Sequence, residues 1–570
     1  MRLNYKKGTF GCLFFAGKVR MKKYLLMVFG IFIFLSYVVP NHYAPWVSFH
    51  HEVLAALAYA ALVPLYWNYK NKFSFFQKSL IILSCLPIVQ YEVGVVDYFG
   101  DAILGSLYIL GFHLVYTMGV GARWSFSAKK KNEILSALFC GILFASIFSV
   151  GIALHQTLEL QRFSVWLVET PSAVRAVGNL AQSNHLASLL FLGLVALLFF
   201  YINKKISIYT LMLGQFYLCM GLASAGSRTT FVILLFVLLL VLLYYFIHRI
   251  SFFNVIWIMI FGFVFAYFLY YAFIDFFHMR EARASADMLI SGASGRIRMA
   301  YINIAWRAIL DSPFLGYGMN QVVFLNEYVA DGGNVTYTYF NSVHNLFLDV
   351  IVWFGFPVGL TVFFLLLREF KNAFYNGENE LTFVLLLGVL VVFVHSMFEY
   401  PYRYSYFLLP MAFFMGYIRS FSKEVRPNKE SSLTTVGGGF FATSLGVVLL
   451  VLVVVFEYFP YESEWSDLAY REAKIGSQVP KVLPNIYILT NLGALANAYR
   501  MNSSEYFQPE KIDFLKKVAR HNPAGEILKR LAEAQFQQGD FIDYKKTIKI
   551  YCFTRWIENC SSTYMLDQSD

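Results

Sequence analysis

Two arginines and two histidines stand out in an apolar sequence because each lies at the edge of an apolar run or in a long segment between runs. Arg228 directly precedes such a run, His344 and His185 lie at the start of two others, and Arg296 lies in a long hydrophilic segment. A guanidinium group matches phosphate oxygens with a planar fork of donors, and an imidazole can take a proton near neutral pH. Together they suit the displacement of a lipid-linked pyrophosphate by a hydroxyl group. The arginines would stabilise the leaving group, and histidine would act as the base.

Further polar residues are predicted to lie at the same membrane depth. Gln182 precedes one apolar run, Asn345 follows His344, and Glu399 and Tyr400 come at the end of another run. Polar groups at membrane boundaries are costly to bury, so a cluster of them at one face indicates a site.

Each residue also has a structural interpretation. Arg228 could extend toward lipid headgroups, Arg296 could pair with Asp287, and Gln182 could cap a helix. His344 could be a polar residue at a helix entry, and Tyr400 could belong to an aromatic belt. The functional interpretation depends on the whole set lying together.

The elements that must position these residues are membrane helices. The chain has 570 residues, of which 58% are hydrophobic and only 14% charged, and its mean hydropathy is +0.55. A soluble globular protein has about 25% charged residues, so a water-exposed globule is excluded, as are a disordered chain, a collagen and a disulfide scaffold. The composition predicts an integral membrane protein.

Thirteen apolar runs approach the length of about 20 residues that crosses a bilayer. They lie at 24–40, 52–67, 79–96, 102–121, 134–153, 184–202, 206–223, 229–247, 252–274, 344–367, 381–398, 405–418 and 440–459. We therefore predict an all-α polytopic protein with about 13 transmembrane helices, a cytoplasmic N-terminus and an external C-terminus.

The orientation rests on the distribution of basic residues. Segments assigned to the cytoplasm carry clusters such as Lys129, Lys130 and Lys131, whereas the opposite loops at 41–51 and 97–101 contain no Lys or Arg. Cytoplasmic loops of membrane proteins show this bias. It also accounts for the net charge of +11 without a nucleic acid partner. The polar set then faces the periplasm if the chain lies in a bacterial inner membrane.

The runs divide the sequence into five parts. These are a basic cytoplasmic leader (1–23), transmembrane helices 1–9 (24–274), a large periplasmic loop (275–343), transmembrane helices 10–13 (344–459) and a helical periplasmic domain (460–570). Two helices around Gly539 are similar to one tetratricopeptide unit, although a small helical bundle explains the pattern equally simply. In an oxidising compartment Cys552 and Cys560 could form a disulfide.

Six short motifs resemble, in this order, those of the O-antigen ligase superfamily, and most closely its PglL-type O-oligosaccharyltransferases. They are 178–185 (GNLAQSNH), 227–229 (SRT), 294–296 (SGR), 316–318 (GYG), 344–348 (HNLFL) and 395–401 (HSMFEYP). The resemblance covers roughly residues 175–405.

The resemblance implies transfer of a glycan from undecaprenyl pyrophosphate in the periplasm, without a nucleotide, metal or other cofactor. The predicted catalytic residues are His344, which would activate the acceptor hydroxyl, and Tyr400. Arg228 and Arg296 would hold the pyrophosphate. The predicted substrate-binding residues are Gln182, His185, Arg228, Arg296, Asn345 and Glu399.

The acceptor separates the remaining interpretations. The external tail, which simpler ligases lack, favours a pilin-like protein as the acceptor. A ligase or polymerase with a saccharide acceptor is the first alternative. A transporter or flippase is a second, although such proteins place ionisable groups near the midplane, often within internal repeats.

Overall fold

The computed structural model describes most of the chain, with gaps that fall mainly in connections and at the two ends. The described residues are 10–66, 73–123, 132–158, 165–168, 175–248, 253–276, 293–330, 340–376, 379–422, 437–477, 479, 481–501 and 508–555. Within these ranges the chain forms helices and no strand, so the all-α prediction is confirmed.

Twenty α-helices are numbered here in chain order over the described residues. The first ten are α1 Phe10–Val38, α2 Phe49–Leu62, α3 Phe75–Glu92, α4 Phe99–Ala122, α5 Glu133–Thr157, α6 Ser183–Ile202, α7 Ile208–Ala225, α8 Arg228–His248, α9 Phe253–Phe276 and α10 Ala293–Asp311. The others are α11 Asn326–Ala330, α12 Leu346–Phe354, α13 Phe356–Asn376, α14 Glu380–His395, α15 Ser405–Arg419, α16 Gly437–Glu472, α17 Thr490–Arg500, α18 Pro509–His521, α19 Gly525–Gln537 and α20 Phe541–Arg555. Short 3₁₀ helices lie at Val63–Tyr66, Gly178–Leu180, Gln321–Leu325 and Pro401–Arg403.

Eight helices in the described chain are long and apolar enough to cross a membrane. They are found at Met21–Val38, Phe99–Ala122, Glu133–Thr157, Ser183–Ile202, Ile208–Ala225, Arg228–His248, Phe253–Phe276 and Gly439–Leu468. Several other predicted spans coincide with shorter helices, such as α2 with 14 residues and α14 with 16. The count of thirteen and the orientation therefore stay predictions.

The apolar run at 344–367 does not form one continuous helix, because the chain breaks at Gly355 between α12 and α13. Gly355 has φ +81°, and a Cβ there would lie 2.3 Å from the carbonyl oxygen of Phe314. A preceding loop makes backbone hydrogen bonds on both sides of this break. Tyr317 N donates to Val352 O at 2.8 Å, and Phe356 N donates to Pro313 O at 2.7 Å. The loop at 313–318 thus replaces the helical hydrogen bonds that the break removes.

Close helix packing in the bundle depends on a small residue where α4 meets α15. A Cβ at Gly416 would lie 1.9 Å from the carbonyl oxygen of Tyr116, so only glycine permits this approach. The Tyr116 hydroxyl donates to the buried Glu369 carboxylate of α13 at 2.8 Å. Small residues allow such close approach between membrane helices.

The C-terminal helices form a separate small core. Leu515, Val518 and Ile527 are fully buried, and α19 and α20 form a hairpin around Gly539. The predicted boundary at 459/460 falls inside α16, which continues to Glu472. The helical content predicted for this region is confirmed.

Two sets of contacts hold these helices against the loops of the bundle. The Glu457 carboxylate of α16 accepts hydrogen bonds from the backbone N–H groups of Tyr487 to Leu489 at 2.9–3.2 Å. His521 Nε2 lies 2.8 Å from Asp97 Oδ2, just before α4. Cys552 is disulfide-bonded, while Cys560, its expected partner, lies outside the described residues.

Candidate active site

The ends of four helices meet at one end of the bundle, and they carry most of the predicted site residues. Gln182 lies at the N-cap of α6, Arg228 is the first residue of α8, and Asn345 is the N-cap of α12. Glu399 and Tyr400 follow α14. The structure thus brings these residues to the same end of the bundle, and their common membrane depth stays a prediction.

Glu399 is the centre of the site, because four side chains from three segments converge on its carboxylate. Asn184 Nδ2 donates to Oε1 at 3.0 Å, and Gln182 Nε2 donates to Oε2 at 3.4 Å. Arg298 Nη2 donates to Oε1 at 2.7 Å, while His344 Nδ1 lies 2.9 Å from Oε2. The Glu399 side chain is only 7% exposed, against 22% for His344 and 36% for Arg298. The imidazole and the guanidinium therefore face open space in front of a buried anion.

These contacts keep Glu399 ionised. Burial opposes ionisation, but the hydrogen bond and charge of His344, together with the charge of Arg298, outweigh it and lower the pKa of the Glu399 carboxyl to about 2. An ionised carboxylate only accepts hydrogen bonds, so we assign the proton of the neutral imidazole to His344 Nδ1. Nε2 then carries the lone pair that a general base needs.

The ring of His344 lies between two tyrosines. The ring of Tyr301 in α10 is nearly parallel to it at 5.7 Å between centroids, and Tyr400 approaches edge-on at 5.0 Å. The residue adopts φ +59°, which is uncommon outside glycine and is found where the surroundings fix the backbone.

The fully buried Asp349 fixes the backbone that precedes His344. Its carboxylate accepts hydrogen bonds from Ser342 Oγ and Val343 N, each at 2.8 Å, and from the Tyr402 hydroxyl. Ser342 Oγ in turn accepts a hydrogen bond from His344 N at 3.0 Å. Asp349 thus positions the histidine without reaching the open space.

Two arginines of the site lie on the α6–α8 side. Arg175 Nη2 donates to Asn184 Oδ1 at 3.4 Å, and its Nε donates to Ala225 O at 3.2 Å. Burial, and then the nearby charge of Arg228, lowers the pKa of Arg175. Ser227 Oγ donates to Asn184 Oδ1 at 2.6 Å, which fixes the turn before α8. The amide of Asn184 therefore links Arg175, and the Ser227 turn that precedes Arg228, to Glu399.

The structure brings Arg298 into the site, two positions after the predicted Arg296. Arg296 lies in α10, and its side chain is outside what the structure describes. Arg298 contacts Glu399 directly, although no motif marked it. Arg175 and Asn184 were also missed as binding residues. The presence of Asn184 within the motif at 178–185 was the available signal.

Two predicted residues have mainly structural contacts. Asn345 Oδ1 accepts hydrogen bonds from Phe347 N and Leu348 N as the cap of α12, and its Nδ2 donates to Met397 O. His185 is 2% exposed and packs edge-on against Tyr404 at 4.9 Å. The structure does not bring His185 into the hydrogen-bonded set around Glu399. Substrate contacts for both residues stay predictions.

An apolar groove of about 550 Å³ begins beside the site and runs along α8, α13, α14 and α15. Phe347 and Met397 line it next to His344, whereas Glu369 and Arg419 line it at the opposite end of α15. The groove therefore offers a long hydrocarbon surface that leads to the charged cluster. Among the described residues, no group of three or more His, Cys, Asp or Glu side chains is placed to hold a metal ion.

Comparison with known proteins gives matches along most of the chain. Residues 213–364 match the family described as O-Antigen ligase, and 176–200 match the one described as Protein glycosylation ligase. Residues 383–545 match the family described as Virulence factor membrane-bound polymerase, C-terminal. The chain is 27% identical to the General O-oligosaccharyltransferase of Acinetobacter baylyi over 76% of each chain. It is 24% identical to the ComP-specific O-oligosaccharyltransferase of the same organism, over 70% of this chain and 72% of the relative.

The apolar helices, and the charged site at their end, define a multi-pass membrane enzyme. The matches confirm the resemblance found in the sequence and identify the kind of enzyme as a glycosyltransferase. By these matches the chain is similar to the O-antigen ligase superfamily and is PglL-like.

Proposed function

We propose that the chain transfers a glycan from undecaprenyl pyrophosphate to a Ser or Thr hydroxyl of a periplasmic pilin-like protein. It would act in a bacterial inner membrane, with the site of Glu399 facing the periplasm. The observation that carries the proposal is the pairing of His344 with Glu399 beside Arg298. A base and a phosphate-binding group thus lie together where an apolar groove ends.

The reaction is a substitution at the anomeric carbon of the glycan. The acceptor oxygen forms the new bond to that carbon as the bond to the pyrophosphate oxygen breaks, and undecaprenyl pyrophosphate leaves with the electron pair. The hydroxyl proton goes to His344 Nε2, because Nδ1 faces Glu399. Arg298 and Arg228 would stabilise the charge that develops on the leaving group, and Arg175 adds positive potential behind them.

The apolar groove supports a polyprenyl donor. An isoprenoid chain is pure hydrocarbon, and a groove lined by Phe347, Phe363, Leu386 and Met397 gives it an apolar environment. A donor seated in this way would present its pyrophosphate at the end of the groove where His344 lies.

A protein acceptor is supported by the relatives. One of them is named as specific for ComP, and both are named as O-oligosaccharyltransferases. The helices α17–α20 contact the loop at Asp97. The predicted topology assigns this loop to the same side of the membrane as the site, where an acceptor protein would approach. The match to the family described as O-Antigen ligase supports a saccharide acceptor as the second candidate.

The test is intact-mass analysis of pilin-like proteins from the parent strain, from a strain lacking this chain, and from the complemented strain. We expect a glycan-sized mass increase that depends on the chain. Unchanged pilin masses, with loss of the glycan from lipid A-core instead, would favour the saccharide acceptor and overturn the proposal.

A further inference from the structure

A second groove, of about 390 Å³, lies between the C-terminal helices and the segment around α11. Leu528 and Leu531 of α19 and Ile550 of α20 form one wall, and Val323 forms part of the opposite wall. It is far in sequence from the residues that bind Glu399 and shares none of them. An apolar floor between two protein walls is the shape that holds an extended peptide segment.

Gln535 lines this groove, and its side-chain oxygen has no hydrogen-bond partner among the described residues. The residue is 3% exposed and lines the groove, and its Oε1 has no hydrogen-bond donor among the described residues. Leaving a buried amide oxygen unpaired costs about 1–3 kcal/mol. A backbone N–H of a bound segment is a donor of the required kind.

The charges around the groove favour an acidic occupant. Its acidic residues are already paired: Glu327 lies 3.3 Å from Arg520, and Asp543 accepts a hydrogen bond from Lys516 at 2.8 Å. Lys546 lines the same groove, is exposed, and forms no salt bridge within the described part of the chain.

The same helix carries two more lysines. Lys545 and Lys549 are also exposed on α20, outside the groove lining, and add positive charge near Lys546. A basic rim attracts a segment that carries carboxylates and raises its rate of association.

We propose that this groove binds an extended, acidic segment of the acceptor protein and holds the acceptor beside the site; this inference rests on the proposed function. The depth of Gln535 favours a peptide over a membrane surface. A lipid headgroup would meet the exposed lysines of the rim, whereas the unpaired amide oxygen lies on the buried floor.

The first test measures binding alone, with the full-length protein in nanodiscs. The probes are two fluorescein-labelled peptides of twelve residues, one repeating Glu-Ala-Ser and the other repeating Lys-Ala-Ser. We expect the acidic peptide to bind about tenfold more tightly, as expected for about 1.4 kcal/mol of charge complementarity. Lys546→Glu and Gln535→Leu should each reduce its affinity severalfold.

Lys529→Glu is the matched control, since Lys529 is an exposed lysine of α19 outside the groove. Equal binding of both peptides, or an equal loss of affinity in the control variant, would overturn the inference. So would binding of the acidic peptide that Lys546→Glu leaves unchanged.

The second test measures transfer to the pilin-like protein that carries the chain-dependent mass increase. Lys546→Glu should raise the KM for this acceptor about fivefold to tenfold while kcat and the donor KM stay unchanged. If the variant instead loses affinity for vesicles of phosphatidylethanolamine and phosphatidylglycerol, with the acceptor KM unchanged, the rim is a membrane contact and the inference fails. The peptide test measures binding in the groove even if the chain does not transfer glycan to any protein.

Discussion

Glu399 and His344 form a pair whose geometry decides which imidazole nitrogen can act as the base. Because the pKa of Glu399 is lowered to about 2, its carboxylate stays ionised throughout the neutral range. The native contacts of Glu399 therefore stabilise the fold above its unfolded pKa of about 4.3, and this contribution is lost as the pH falls toward 2. We expect no change in activity from Glu399 between about pH 5 and 8.

Glu399→Gln tests the pairing. The amide keeps the size of the side chain but lacks the charge that orients the imidazole and stabilises its protonated form, so kcat should fall about a hundredfold. Steady-state transfer kinetics measure this effect. A variant with the wild-type kcat would show that Glu399 has no positioning role.

Arg228→Ala tests the donor contacts. Loss of a guanidinium that faces phosphate should raise the donor KM or Kd at least tenfold, since a neutral side chain cannot make the paired contact. The measurement is binding of lipid-linked donor to the purified protein. The control is Arg307→Ala, which changes an arginine further along α10. If the Arg228→Ala variant binds the donor with wild-type affinity, Arg228 does not contact the pyrophosphate.

At the scale of elements, helix ends determine the site, and hydropathy predicts helix ends well. An apolar run must stop where the bilayer stops, so the depth of Gln182, Arg228 and Glu399 could be predicted from the sequence. The break at Gly355 could not, because apolar residues continue on both sides of it. The loop that replaces its lost hydrogen bonds comes from about 40 residues earlier, which a local pattern does not show.

The contact of Arg298 with Glu399 has a similar limit. The partner of a side chain in α10 depends on how this helix lies against α12 and α14. That arrangement follows from tertiary packing around Tyr301, not from the local sequence. Asp349 lies one turn inside an apolar run, and its three hydrogen-bond donors explain why its burial is tolerated there.

Gly355→Ala tests the break. The left-handed φ of +81° and the 2.3 Å approach of Phe314 O both oppose a Cβ, so the variant should be destabilised by about 1–3 kcal/mol. Thermal unfolding of the detergent-solubilised protein measures this. Gly446→Ala is the control, because no atom lies within 4 Å of a Cβ built there. Equal melting temperatures for the two variants would contradict the structural account of the break.

At the scale of the whole molecule, a titratable contact joins the C-terminal helices to the bundle. Burial opposes the charged form of His521, but its hydrogen bonds to Asp101 and Asp97 outweigh burial and raise its pKa. The hydrogen bond from His521 lowers the pKa of Asp97, although burial opposes this. The contribution of His521 is complete below its unfolded pKa of about 6.5 and is lost as the pH rises through the raised value; that of Asp97 is lost as the pH falls below about 3.9.

The contact should therefore weaken as the pH rises above neutrality. We expect faster hydrogen exchange in α18 at about pH 8.5 than at pH 6, after correction for the intrinsic rate. His521→Gln should remove this pH dependence, whereas His50→Gln, a change of a histidine that contacts Glu462 instead, should retain it. Identical corrected exchange at both pH values in the unaltered protein would rule out a titrating contact.

The central claim is that this chain moves a glycan from a lipid-linked pyrophosphate to a protein hydroxyl and that His344 takes the proton. The most direct measurement uses the purified protein in nanodiscs with lipid-linked donor, the pilin-like acceptor and a metal chelator, followed by intact-mass analysis of the acceptor. The unaltered chain should add one glycan mass, and His344→Ala should add none while binding the donor with near-normal affinity. Transfer at the normal rate by His344→Ala, or no transfer to protein by the unaltered chain, would contradict the account.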